Sequence, residues 1–304
     1  MIYNNILETI GRTPIVKINS ANSHRDVEIL AKIESFNPGG SIKDRAALEM
    51  ILDAEKSGKL KKGGSIIEPT SGNTGIAIAM VGAAKGYKVI LVMPDSMSIE
   101  RRKLIKAYGA EIILTDGSLG MKGAVDKAEE EAMKNGYFMP YQFKNPANTN
   151  SHIKTTALEI IRDIGNDLNY FVAGVGTGGT LSGIGRVLKE NNENIRIIAV
   201  EPEESKVLRG EKANSHGIQG IGANFIPDIY ESKYVDDIMP VKTEDAIKTA
   251  RELASKEGIL CGISSGANIC ACLKLAKNMA SGRILTVLPD TGERYLSTVL
   301  FEEE

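Results

Sequence analysis

Short runs of β-branched residues alternate with longer amphipathic stretches almost from end to end of this chain, and that alternation restricts the fold more than any other feature. Strands separated by helix-length segments are joined by crossovers, so they run parallel and place helices on the faces of their sheet. Residues 29–33, 65–68, 88–93, 111–115, 170–175, 196–200 and 283–288 read as strands. Residues 44–57, 74–85, 98–108, 122–134, 151–164, 181–189, 243–256 and 265–278 read as helices. Ser98 ahead of Glu100, and Thr243 ahead of Glu244 and Asp245, read as caps of helices with acidic first turns. The expected class is α/β, with mostly parallel sheets flanked by helices.

A chain of 304 residues is long enough for two lobes, each with its own core, and a cleft between lobes is a natural place for a site. The turn-rich stretch Lys144-Asn145-Pro146-Ala147-Asn148 marks a lobe boundary. With a formal charge of −2 and Lys and Arg scattered among Asp and Glu, neither nucleic acid nor an acidic membrane is an expected partner. No apolar run is long enough to span a bilayer, and the first residues lack the parts of a signal peptide, so the expected compartment is the cytoplasm. Cys261, Cys270 and Cys272 are odd in number and read as buried thiols. His24, His152 and His216 have no metal-ligand neighbour at helical spacing, so no metal site is expected.

Three Gly-rich loops and one lysine carry the chemistry. Lys43, in Asn37-Pro38-Gly39-Gly40-Ser41-Ile42-Lys43-Asp44-Arg45, sits where a Pro-Gly-Gly turn gives way to a helix. Its amine can form a Schiff base with an aldehyde and, once displaced, serve as a base; a solvated lysine beside a helix start is the alternative. Pro69-Thr70-Ser71-Gly72-Asn73-Thr74-Gly75 follows a strand and opens a helix, so backbone N–H groups, hydroxyls and a carboxamide converge as for an amino-acid carboxylate. The same glycines also suit a tight turn. Gly176-Thr177-Gly178-Gly179-Thr180 lets backbone approach closely and adds hydroxyl donors, as a dianionic phosphate requires.

Gly174, Gly176 and Gly179 also satisfy G-x-G-x-x-G, and Glu201 lies about where a dinucleotide fold places its ribose-binding carboxylate, so an NAD(P)-binding oxidoreductase is a rival. That rival gives Lys43 and the 70–75 loop nothing to do. In Cys261-Gly262-Ile263-Ser264-Ser265-Gly266-Ala267, one serine could bond a cofactor nitrogen while the other caps the helix. Together these elements point to a pyridoxal phosphate enzyme.

With these residues assembled, the chain resembles the cysteine synthases, the O-acetylserine sulfhydrylases of the fold-type II pyridoxal phosphate family. Further matches are Ile10-Gly11-Arg12-Thr13-Pro14, Met97-Ser98-Ile99-Glu100-Arg101-Arg102, Tyr108-Gly109-Ala110, Gln142 through Asn148, Gly220 through Pro227, and Gly292 through Thr298. The resemblance implies a smaller mobile substrate-loop domain, 36–147, and a larger cofactor-phosphate domain, 1–35 with 148–304, with the active site between them. It implies that Lys43 forms the internal aldimine, Asn73 bonds the cofactor's phenolic oxygen, Gly176, Thr177, Gly178, Gly179 and Thr180 bind phosphate, and Ser264 faces the pyridine nitrogen. Thr70, Ser71, Asn73, Thr74 and Gln142 would surround the substrate carboxylate.

The implied reaction is β-replacement, making L-cysteine from O-acetyl-L-serine and sulfide through an aminoacrylate. The alternatives are a cystathionine β-synthase-like enzyme and a cysteine-consuming enzyme that releases hydrogen sulfide. A homodimer is implied, as is an interaction with the C-terminal tail of serine acetyltransferase at the carboxylate loop. The chain departs from the family at Asn224, where Gly is common, and at Tyr141, where a second Gln is frequent. Asn224 would then either meet the incoming thiol or simply adopt the left-handed turn that Gly adopts elsewhere.

Overall fold

The computed structural model describes residues 2–19, 22–23, 26–96, 99–165 and 167–301, with the backbone alone for Glu100. His24, Met97 and the proposed Ser98 cap lie outside the described residues. Along the chain, β1 (Ile15–Ile18) and β2 (Val27–Ile33) precede α1 (Lys43–Lys56), β3 (Ser65–Pro69), α2 (Asn73–Lys85), β4 (Lys88–Pro94), α3 (Ile99–Ala107), β5 (Glu111–Thr115) and α4 (Gly120–Asn135). Then come α5 (Pro146–Ser151), α6 (Ala157–Ile164), β6 (Tyr170–Gly174), α7 (Gly179–Asn191), β7 (Arg196–Pro202), β8 (Asp237–Val241), α8 (Thr243–Glu252), α9 (Ile263–Ala276) and β9 (Gly282–Leu288).

The chain divides into two compact units, Met1–Ile10 with Asn37–Asn148, and Gly11–Phe36 with Thr149–Glu304. The division differs from the one drawn on the sequence in its first residues. Leu7 and Ile10 pack against the apolar cluster of α1 and α2, which carries the start of the chain into the first unit.

The first unit holds a parallel sheet, β3-β4-β5. Successive side chains of a strand face opposite ways, and β4 shows the consequence: Val89, Leu91 and Met93 enter one core with α1 and α2, while Ile90 and Val92 enter another with α4. Beyond α4 the chain returns along β3, where Ile67 N donates to Phe138 O (2.9 Å) and Phe138 N to Ser65 O (2.9 Å). This return brings residues 139–142 beside the end of β3.

The second unit holds a six-stranded sheet in the order β1-β2-β9-β6-β7-β8. All its pairings are parallel except β1 with β2. Alternation again feeds two cores, with Val172, Ile198, Val200 and Ile284 on the α9 face and Phe171, Ile197, Ala199 and Leu285 on the α7 face. Gly174 N, at the end of β6, donates to Asn268 Oδ1 on α9 (2.8 Å), and Asn268 Nδ2 donates to Val287 O on β9 (2.8 Å).

Some local expectations change. Strands β1 and β8 had no counterpart in the sequence reading. The helix read at 151–164 is broken by a π turn at His152–Thr156, and the one read at 243–256 ends in another at Leu253–Glu257. Lys242, not Thr243, is the cap position of α8, and the Thr243 hydroxyl instead accepts from Gly217 N (3.1 Å). Neither Ser264 nor Ser265 caps α9, because Gly262 holds that position and both serines lie inside the first turn.

Candidate active site

In the first unit, the turn at Asn37–Gly40 is closed by Gly40 N donating to Asn37 O (2.8 Å), and the buried Asp44 accepts from Gly39 N (2.6 Å). A side chain at Gly39 would begin 2.5 Å from the Asp44 carboxylate, so any larger residue there would displace the carboxylate that closes the turn. This bracket fixes Lys43 as the first residue of α1, half-buried, with its N–H donated to Ser41 Oγ (3.3 Å).

The 70–75 loop is also held from several sides. Thr70 N donates to Val92 O (3.0 Å), and Thr70 Oγ1 accepts from Gly72 N (3.3 Å). Arg101 of α3 donates to Ser71 O (3.2 Å). Gly72, at the cap position of α2, gives the helix no side-chain cap, so the first-turn N–H groups remain suited to an anion. Buried Thr74 donates its hydroxyl to Gln142 Oε1 (2.6 Å), and Asn148 Nδ2 donates to Gln142 O (2.9 Å). Thr70, Ser71, Asn73 and Thr74 thus form one turn, with Gln142 bonded to it.

Glu68 stands behind this group. Only 1 % exposed, it accepts from Tyr141 N at one oxygen (3.1 Å) and Gln142 N at the other (3.2 Å). Burial raises its pKa to about 7, the two peptide hydrogen bonds offsetting part of the effect. Tyr141 has φ +54°, a left-handed conformation that aims successive N–H groups at one carboxylate. Sequence reasoning passed over Glu68. The signal was a carboxylate in an otherwise apolar strand leading into a Gly-rich loop.

In the second unit, residues 176–180 turn from β6 into α7, whose cap position is Gly178 (φ +87°) without a side-chain cap. Thr177 is buried, and Thr180 Oγ1 lies 3.2 Å from His152 Nε2, the other ring nitrogen meeting Thr156 Oγ1 at 2.9 Å. The π turn at 152–156 supplies that histidine, which the sequence reading considered only as a metal ligand. A side chain at Gly176 would strike Gly220 O at 2.3 Å, and one at Gly220 would come within 3.5 Å of Ser264 Oγ. The 176–180 turn, Gly220 and Ser264 therefore form a cradle lined by backbone, hydroxyls and an uncapped helix start. Its donors suit a phosphate, and the Ser264 hydroxyl suits an aromatic ring nitrogen.

Two sequence candidates behave differently. Glu201 is buried and turned back on its own chain, its Oε2 accepting from Leu208 N (2.8 Å), which is not the posture of a ribose-binding carboxylate. Asn224 has φ +64°, and its carboxamide oxygen accepts from Ser205 Oγ (2.9 Å), itself the acceptor for Asn214 N (3.1 Å). The left-handed backbone is the one that the conformational of its two expected roles calls for. Cys261, Cys270 and Cys272 are free and buried, as read from the sequence. Among the described residues, no cluster of His, Cys, Asp and Glu could hold a metal ion, and no helix is long and apolar enough to cross a membrane.

Residues 6–290 match the sequence profile of the pyridoxal-phosphate dependent enzymes. The chain is 52 % identical over 299 residues to a cysteine synthase of Staphylococcus aureus, covering 98 % of this chain and 96 % of that one. A cysteine synthase crystal structure from Entamoeba histolytica superposes with a TM-score of 0.97 at 48 % identity, over 100 % of this chain and 93 % of that one. A hydrogen sulfide-producing enzyme from Fusobacterium nucleatum superposes with a TM-score of 0.93 at 47 % identity, over 97 % and 100 %. Strand order, Gly-rich turns and these similarities agree, and the chain belongs to the family of pyridoxal-phosphate dependent enzymes, in its cysteine synthase branch.

Proposed function

We propose that this enzyme makes L-cysteine and acetate from O-acetyl-L-serine and sulfide. The observation that carries the reading is the Thr74–Gln142 hydrogen bond at the uncapped start of α2: Thr74 donates to the carboxamide oxygen, leaving the Gln142 NH2 beside the helix's backbone N–H groups as donors for an amino-acid carboxylate. Pyridoxal phosphate, when bound, supplies an aldehyde that joins amines and a ring that takes up the electron pair left by a departing Cα proton. Gly176, Thr177, Gly178, Gly179 and Thr180 would hold its phosphate, Asn73 would bond its phenolic oxygen, and the Ser264 hydroxyl would meet its ring nitrogen. A serine there favours a neutral ring, which suits replacement at Cβ over transamination. Lys43 would hold the aldehyde at rest, and its Nζ is the base that would take the substrate's Cα proton and return it to the product. Thr70, Ser71, Asn73, Thr74 and Gln142 bind and orient the carboxylate. Closure of the first unit's loop excludes water from the reacting carbons.

The resemblance of the whole chain to cysteine synthases supports acetylserine as donor, and its likeness to a hydrogen sulfide-producing enzyme supports cysteine as the competing donor. In the same reading the enzyme is a cytoplasmic homodimer, and the C-terminal carboxylate of serine acetyltransferase competes with acetylserine for the Thr70–Thr74 loop. A panel of donors against sulfide, cysteine and homocysteine tests the reaction. Acetylserine with sulfide is expected to give the highest kcat/KM, and a poor rate with acetylserine overturns the assignment. Lys43→Ala is expected to abolish turnover in a folded protein.

A further inference from the structure

A carboxylate taken out of water normally needs a cation beside it, because the desolvation cost of an isolated charge is large. Glu68 is buried in β3, yet its partners are two peptide N–H groups, those of Tyr141 and Gln142, one to each oxygen. The return of the chain along β3 at Phe138 brings this peptide segment to it, and the left-handed Tyr141 points both N–H groups the same way. Gln142 is then fixed at three points: its N–H by Glu68, its carbonyl by Asn148 Nδ2, and its side-chain oxygen by Thr74. The one hydrogen-bonding group of Gln142 that makes no bond among the described residues is its side-chain NH2, a donor.

We propose that Glu68 is a positioning residue for carboxylate recognition, its carboxyl group clamping the 141–142 peptide so that the Gln142 NH2 is presented to the substrate's α-carboxylate. The inference rests on the assignment of Thr74 and Gln142 to carboxylate binding. A donor held in place by its own backbone loses less freedom on binding, so the clamp acts on affinity for the carboxylate and leaves the reacting carbons untouched.

Glu68→Gln keeps the size of the side chain and one acceptor but turns an NH2 toward a peptide N–H, releasing one half of the clamp. The test compares a carboxylate ligand with its amide on the cofactor-loaded enzyme, using the visible-absorbance change on binding L-serine or L-serinamide, together with kcat and KM for acetylserine. Glu68→Gln is expected to weaken L-serine by about tenfold and L-serinamide by less than about threefold, and to raise the acetylserine KM with kcat little changed. Because Glu68 acts through Gln142, the double variant Glu68→Gln/Gln142→Ala should bind L-serine no worse than Gln142→Ala alone.

Equal losses for serine and serinamide, or a full additional loss in the double variant, overturn the proposal by making Glu68 a general support of the fold. Should Glu68→Gln not fold, Glu68→Asp, which keeps the charge but is one methylene too short for both N–H groups, carries the same comparison. Failure of the underlying assignment reads differently. In that case Gln142→Ala itself leaves the preference for serine over serinamide unchanged, and the proposal falls with it.

Discussion

Alanine at Gly176 would place a methyl group 2.3 Å from the carbonyl oxygen of Gly220 and 3.4 Å from its carbon. Both are main-chain atoms, so no rotation of a side chain relieves the overlap. Since ordinary contact starts near 3.4 Å, one of the two backbones retreats by about 1 Å, at a cost of about 1–3 kcal/mol for overpacking. Either the 176–180 turn or Gly220, which faces Ser264, leaves its place. A displacement of ~1 Å in groups that position a reactant lowers their contribution on the order of a hundredfold. Cofactor affinity is therefore expected to drop by tenfold or more, on the order of 1.4 kcal/mol at least. The assay is titration of cofactor-free protein with pyridoxal phosphate, followed by visible absorbance. Gly72→Ala is the matched comparison, because an added Cβ there meets nothing within 4 Å and the backbone is extended, with φ −110°. It should hold cofactor normally and change only amino-acid binding. A Gly176→Ala protein that binds cofactor within about threefold of the original would refute the cradle argument.

Burial lifts Glu68 from about 4.5 to about 7, so the folded protein holds a proton that the unfolded chain releases between those values. Stability from this group is present in full below pH 4.5 and lost as pH rises through 7, by roughly 3 kcal/mol. The difference in denaturant stability between the protein and Glu68→Gln should accordingly shift against the glutamate between pH 5 and pH 8, and a pH-independent difference counts against it. Burial also raises all three thiols, Cys261 to about 12. A thiol reagent at neutral pH should label none of them in the folded protein and all of them in denaturant, rapid native labelling being the contrary result. Asn268→Ala strands the Gly174 N–H and the Val287 carbonyl, for a loss of about 2–4 kcal/mol by calorimetry or denaturant titration; a loss under about 0.5 kcal/mol defeats that account.

The central strands were legible because both of their faces are buried, leaving near-continuous apolar runs such as Val89–Met93. The strands missed are both edges. Ile15–Ile18 is exposed at two of its four positions, and Asp237–Val241 carries an aspartate and a proline, which an edge tolerates because one side of it makes no ladder bonds. The two π turns were invisible for another reason: each lies at one end of the helix read from the sequence, where the phase slip of one extra residue has few further positions to show against. At the site, the glycine turns announced themselves through composition. Glu68 and His152 did not, because each acts by a contact across more than twenty residues of sequence, Glu68 with Gln142 and His152 with Thr180. The Thr243 cap failed because Gly217, distant in sequence, takes the hydroxyl first.

The strand order of the second unit bears on how the protein is made. β9, the last strand among the described residues, lies between β2 and β6, so nascent chain that has not yet delivered Gly282–Leu288 has a gap at the middle of that sheet. The first unit's parallel sheet, drawn wholly from residues 65–115, has all its strands long before then. Synthesis therefore favours an order in which the carboxylate-loop half condenses early while β2 waits for a partner some 250 residues downstream, a slow long-range closure. A ribosome stalled before residue 282 would leave open the edge of β2 that β9 covers, which makes the interval between the synthesis of β8 and that of β9 one in which chaperone protection matters.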